Sequence, residues 1–525
     1  MTFRLARLTS AFLALAILTG CEQSTAPEKP QEAESQPAAA PGAPAPEPEK
    51  LEIAWFKGGV QEAFALAKAE NKPLFLYWGA VWCPPCVEIK ATVFKSPQFI
   101  AQSRLFIPLY LDGDTARAQI YGDKFGTKVY PTLIVFNPEG EEVTRLNAGM
   151  ELSAYNTVLE LSLDSMRPTG DLVATAMVDP ALLTDAELQQ LASYSWYDNA
   201  KALPEGTPPE LFKNLSEAAG ENHPKAAARF YLQYLVMLAD SEEEFESADP
   251  APLDAILADP ELLFASWDYL TAYPDKIIAA VEDDETETAG LRYVLVGVVL
   301  KNRHNENLST TKQMAAWNTY FALQVGEDEE LPAEIIDDIR ADGIAAERKT
   351  AGTHERQSVI DSVYSTYLDA GLVDEARALL KAEIETSKTP YYFMSALAEL
   401  EEQEGNMDLA VDWRRKAYEN STGPATRIRW WARYTQAVVR MVPDNPEAID
   451  AAAMVIFSET DLLAQIFAGA NFRNLQNTTN ALQGWDEEFS AGQSKLGAYH
   501  AAINSLCSEQ APGSSAYASC RSLLP

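Results

Sequence analysis

Residues 81–90 read VWCPPCVEIK. Cys83 and Cys86 stand two residues apart, Trp82 precedes them, and Pro84 and Pro85 fill the gap. Such a pair serves as half of a zinc site, as a structural staple, or as a dithiol that makes and breaks a disulfide. Zinc would need two more soft ligands. The histidines at 223, 304, 354 and 500 lie far away in sequence and no second close cysteine pair exists, so no metal site is expected.

The flanking sequence bears on the remaining choice. Val60, Ala63, Phe64 and Ala67 recur at helical spacing. Residues 73–80 (PLFLYWGA) form a nearly continuous apolar run, the pattern of a strand buried on both faces. Pro84 and Pro85 suit a first helical turn, where a missing N–H costs little. A second apolar run, 105–111 (LFIPLYL), ends in Asp112-Gly113-Asp114. Then come GTKVYPT at 126–132, a strand over 133–136, a turn at 137–140 and a strand over 142–146. Leu152, Tyr155, Val158 and Leu159 mark a helix that stops before Pro168. Strands alternating with helices, around a strand–CxxC–helix junction, predict an α/β domain over 51–167.

These residues carry a resemblance. Residues 51–167 resemble a thioredoxin fold, with WCPPC at its active-site motif and VYPT (129–132) at its cis-proline loop. VFKSPQF (93–99) is similar to the C-terminal domain of the disulfide reductase DsbD. The resemblance implies thiol–disulfide chemistry without a cofactor. Cys83, at a helix N-terminus that favours the thiolate, is expected to be the nucleophile. Cys86, one turn further in, is expected to resolve the mixed disulfide. A cis Tyr130–Pro131 bond would present strand-like backbone to a substrate chain. Trp82 either walls the site or simply packs. Pro84 removes an N–H that could face the thiolate, so moderate activation is expected. One departure matters: thioredoxins carry a buried acid six residues before the first cysteine, and here that position is Tyr77, which cannot serve near neutral pH. Glu88, the nearest carboxylate, is expected to face solvent, leaving proton transfer to water.

The chain opens MTFRLARLTSAFLALAILTGC, two arginines and then an apolar run too short to span a bilayer, the pattern of a secretory signal. Leu18-Thr19-Gly20-Cys21 resembles a bacterial lipobox, which implies cleavage after residue 20, lipidation of Cys21 and a membrane anchor. Glu22, which is not the Asp associated with inner-membrane retention, leans toward the outer membrane. Residues 22–50, dense in Pro, Ala and Glu without Val, Ile, Leu or aromatics, read as a disordered spacer. The expected location is therefore the periplasmic side of the envelope, where disulfides persist. With Cys21 lipidated, four cysteines remain as two pairs. Cys507 and Cys520 bracket a turn-rich loop and are expected to form a structural disulfide.

A formal charge of −36 argues against nucleic-acid binding. The acidic runs at 241–244 and 327–330 lack the alternation of a calcium loop and read as solvated helix ends. From residue 168 to 525 amphipathic segments take over, such as 226–238 and 312–324, and 293–300 (YVLVGVVL) reads as a buried helix. GLVDEARALL (371–380) and GNMDLAVDWR (405–414) match at Gly371/Gly405, Asp374/Asp408 and Ala376/Ala410, each 34 residues apart. That period resembles tetratricopeptide repeats over part of an all-α region, with a generic helical bundle as the alternative. Two functions remain open: a tethered oxidoreductase exchanging disulfides with protein clients and supplied by a membrane electron donor or acceptor of the disulfide-reductase type, or an envelope scaffold that binds partners through its helices.

Overall fold

The computed structural model describes residues 52–524 except 128, 147–151, 197–201, 242–243, 283–289, 325–330, 354, 460–465 and 491–492. The expected signal 1–21, Cys21 and the spacer 22–50 lie outside the described residues, as do the whole acidic run 327–330 and the middle of 241–244.

Helix α1 (Val60–Glu70) starts where the Glu62 carboxylate accepts the Gly59 N–H at 2.9 Å and ends at Asn71 in the left-handed region, φ 51°. Strand β1 (Leu74–Gly79) is buried along its whole length, hence its unbroken apolar run. Helices α2 (Pro84–Ala91) and α3 (Pro97–Ser103) follow, then β2 (Ile107–Asp112), α4 (Ala116–Lys124), β3 (Thr132–Phe136), β4 (Glu142–Leu146) and α5 (Leu152–Asp164). The sheet order is β2-β1-β3-β4; β1 runs parallel to β2 (Leu76 beside Leu109) and antiparallel to β3 (Leu76 beside Ile134). Alternation along β1 divides the core. Leu74, Leu76 and Trp78 pack with α1, while Phe75 and Tyr77 pack with Ile89, Phe99 and Tyr155 from α2, α3 and α5. The second strand begins two residues later than its apolar run, because Leu105 is half exposed.

Beyond α5 the chain is helical. Residues 226–238 and 312–324 lie in the helices Pro224–Ala239 and Thr310–Gln324. The run 293–300 lies in the helix Leu291–Asn302, but it is not buried throughout. Leu295, Val296 and Val299 face the core, whereas Tyr293 and Val294 face solvent. Its all-apolar sequence conceals a one-sided helix. The repeat is visible in the turns. After the helices Arg356–Asp369 and Pro390–Gln403, Gly371 and Gly405 take φ of 71° and 78°, and Leu372 and Asn406 each donate back to the carbonyl five residues earlier. Ala376 and Ala410, fully buried, let the paired helices approach. Among the described residues no helix is long and apolar enough to cross a membrane.

Leu51–Pro525 is one compact unit. The last apolar cluster of the helical region, which includes Tyr391, Trp430 and Trp431, also takes in Ala80, Trp82, Cys83 and Cys86. Polar bonds tie the same seam. Thr426 donates its N–H to Asp114 Oδ1 at 2.7 Å, Gly469 donates to Asp123 at 3.1 Å, and Arg473 pairs with Asp123 at 2.6 Å.

Candidate active site

Cys83 is the N-cap of α2, and its Sγ accepts the Cys86 N–H at 3.3 Å. The two are joined as a disulfide. Because Pro84 and Pro85 occupy the first helical positions and carry no N–H, Cys86 supplies the donor this turn offers to the sulfur. The Tyr130–Pro131 peptide bond is cis. Pro131 is buried, while Tyr130 reaches the site. The Tyr130 ring stacks on Trp78 at 4.3 Å between centroids and meets Trp82 edge-on at 5.5 Å, and its hydroxyl accepts from Gln119 Nε2 at 3.3 Å. Burial pushes that hydroxyl up to about 12. A side chain at Gly113 would collide with the Tyr130 ring, so the Asp-Gly-Asp turn closing β2 holds the proline loop in place.

Tyr77 lies on the opposite face of the sheet from Trp78, and burial pushes its pKa far up. Its hydroxyl has no hydrogen-bond partner among the described residues. It cannot take a proton from Cys86 near neutral pH. Lys90, four residues after Cys86, places its Nζ over the Tyr77 ring, 5.7 Å from the centroid, and donates to Tyr110 Oη at 3.3 Å. Burial lowers the Lys90 pKa. Glu88 is half-buried rather than solvent-facing, and the helix Arg356–Asp369 packs against α2.

The helical region completes the site. Gln357 Nε2 donates to the Trp82 carbonyl at 2.7 Å, Trp430 lies edge-on to the Trp82 ring at 6.4 Å, and the Arg429 guanidinium sits 4.5 Å from that ring's centroid. Trp82 therefore both packs and walls a cleft of about 430 Å³ onto which Cys83 opens. Pro85 and Val129, both exposed, form its lip. Opposite them stand Asp361, Tyr392, Arg429 and Arg433. Tyr392 Oη donates to Asp361 Oδ1 at 2.8 Å, and burial pushes the Asp361 carboxyl up. Arg433 reaches Ser395 Oγ at 3.2 Å and Glu399 at 3.6 Å, and Glu399 also pairs with Arg414 at 3.0 Å. Arg429 makes no ion pair or hydrogen bond among the described residues; burial, with Arg433 nearby, pushes it down to about 10.

Cys83, Cys86, Trp82 and Tyr130 thus come together, with Pro131 behind them. Cys507 and Cys520 form a second disulfide, buried between the helices Gly497–Ser508 and Ser515–Arg521. The arginine wall was not anticipated. Its sequence signal is RIRWWARY at 427–434, cations interleaved with aromatics in a strongly acidic chain.

Residues 60–161 match a family model described as a thioredoxin-like domain. No curated protein matches the chain. The match agrees with the sheet, the cis-proline loop and the position of the cysteine pair. Residues 60–161 are a thioredoxin-like domain bearing the Cys83–Cys86 pair, followed by a largely helical region.

Proposed function

We propose that the protein is a thiol–disulfide oxidoreductase of the bacterial envelope, lipid-tethered at Cys21 and lifted off the membrane by the spacer 22–50. One observation carries the redox part: the Cys83 sulfur caps a helix N-terminus beside a cis-proline loop and opens on a cleft. In the reduced pair the helix end and the Cys86 N–H favour a Cys83 thiolate. That thiolate attacks a substrate disulfide, and Cys86 resolves the mixed disulfide. A protein client could enter only as an extended segment, because helices occupy the ground around Cys83. The DsbD-like sequence favours the reducing direction, with electrons from a membrane donor. The Glu22 lean favours the outer membrane.

A second reading, an envelope scaffold in which the pair is a fixed staple, is favoured by one observation: Cys83 is 2% exposed and Cys86 0%. Titrating the folded chain against dithiothreitol redox buffers separates the two. A pair that opens and recloses reversibly, at a potential near those of known exchange proteins, supports the oxidoreductase. A pair that opens only as the chain unfolds supports the scaffold.

A further inference from the structure

We infer that the cleft beside Cys83 selects small disulfides that carry carboxylates, with Arg429 and Arg433 holding the acidic group next to the reacting sulfur. The inference rests on the exchange reading above and adds its substrate class.

Size comes first. A cleft of about 430 Å³ falls within the range of about 300–1,000 Å³ usual for small-molecule sites. The helix Arg356–Asp369 packs on α2 and Trp430 lies edge-on to Trp82, so the cysteine pair is flanked by the helical region and opens on this cleft. Charge comes second. The cleft holds two guanidinium groups, Arg429 and Arg433, and two carboxyls, Asp361 and Glu399. Glu399 is already answered by Arg414 as well as by Arg433. Asp361 is tied to the Tyr392 hydroxyl, and burial favours its neutral form. Arg429 faces Trp82 and has no acid partner among the described residues. Arg429 is half-buried, and a guanidinium partly withdrawn from water without an acid partner favours an anion beside it. It stands in a chain of charge −36, against the general field. A second cleft of about 300 Å³ shares Trp82, Tyr130, Arg429 and Arg433, so both arginines line two clefts.

The chemistry balances within the pair. Cys83 thiolate attacks one sulfur of R–S–S–R; a Cys83–S–R bond forms and R–S⁻ leaves. Cys86 thiolate then attacks the Cys83 sulfur, expelling the second R–S⁻ and closing the Cys83–Cys86 disulfide. The substrate gains two electrons and the protein loses two. The protons given up by the two cysteines end on the two released thiols.

Three probes of similar size test this with the reduced full chain: 3,3′-dithiodipropionate (anionic), 2-hydroxyethyl disulfide (neutral) and cystamine (cationic). Each rate is divided by that of dithiothreitol with the same probe, which removes leaving-group effects. The expected order is anion, neutral, cation, with at least about tenfold between the extremes, the ratio that 1.4 kcal/mol of differential interaction gives. In Arg429→Gln, and further in Arg429→Gln/Arg433→Gln, the anion-to-cation ratio falls toward one. Should these variants fold poorly, raising the ionic strength of the wild type must narrow the same ratio. A flat or reversed order overturns the inference. So does equal slowing of all three probes in Arg429→Gln, which would make the arginine a partner of the thiolate alone. Exchange confined to a disulfide within an acidic peptide, with the small dianion inert, overturns the small-substrate assignment. No exchange with any of these probes, small or peptide, removes the oxidoreductase reading itself, and the inference with it.

Discussion

Asp114 joins the thioredoxin-like part to the helical region through one carboxylate, accepting from both the N–H and the hydroxyl of Thr426. Burial raises its pKa while the Thr426 bonds pull the other way, and burial wins. The folded chain therefore holds this proton more tightly than the unfolded chain. Its contribution to stability is fully present below the unfolded value, about 3.9, and is lost as pH rises through the higher folded value. Asp114→Asn, which keeps one acceptor and never ionises, is expected to flatten the stability profile just above pH 4; an unchanged slope would show that Asp114 titrates normally. Residues of this kind were invisible in the sequence, because their role depends on a partner more than 300 positions away. Cys83, Cys86, Tyr130 and Pro131 were legible because a short motif at fixed spacing carries their chemistry. Trp82 was half legible: its place beside the cysteines was clear, but not the arginine over its ring.

Helix α4 marks the limit of legibility among the elements. Its sequence, ARAQIYGDK, has no strong apolar stripe, so no apolar periodicity marks a helix between the Asp-Gly-Asp turn and the proline loop. The Thr115 side chain, capping Ala118 N–H at 3.3 Å, was the available signal. α4 matters because the helix Gly469–Phe489 docks on it. Gly469 has φ 57°, and a Cβ there would run into the Gln119 carbonyl oxygen. Gly469→Ala should cost at least about 1–2 kcal/mol for the left-handed backbone alone, before the clash. The denaturant midpoint reads this at constant m; an unmoved midpoint would mean the seam yields freely. At the far end of the chain, the Cys507–Cys520 bridge spans a sequence separation of 13. Changing both to Ser should cost roughly 3 kcal/mol on the chain-entropy estimate. Disulfide exchange at Cys83 should be kept. The repeat at Gly371 and Gly405 could be read because a left-handed glycine must recur wherever the same turn does.

At the scale of the molecule, the dithiol lies inside a core built jointly by the two regions. Apolar periodicity foretold a strand here and a helix there, but which helices would cover Cys83 depends on contacts across more than 270 positions, as between Trp82 and Gln357. The proposed tether makes its own prediction. Cys21→Ser should release the protein from membranes or leave its signal uncleaved, and an unlipidated wild-type N-terminus in the mass spectrum would contradict the anchor. The central claim is that Cys83 and Cys86 have unequal, exchanging roles, and its most direct test is trapping. Each single variant is exposed to 2-hydroxyethyl disulfide while folded, then mapped by mass without reduction. Cys86→Ala is expected to accumulate one mixed disulfide, on Cys83, whose sulfur opens on the cleft. Cys83→Ala is expected to accumulate none, since Cys86 is fully buried. Adducts on both cysteines alike, or on neither, would contradict the account.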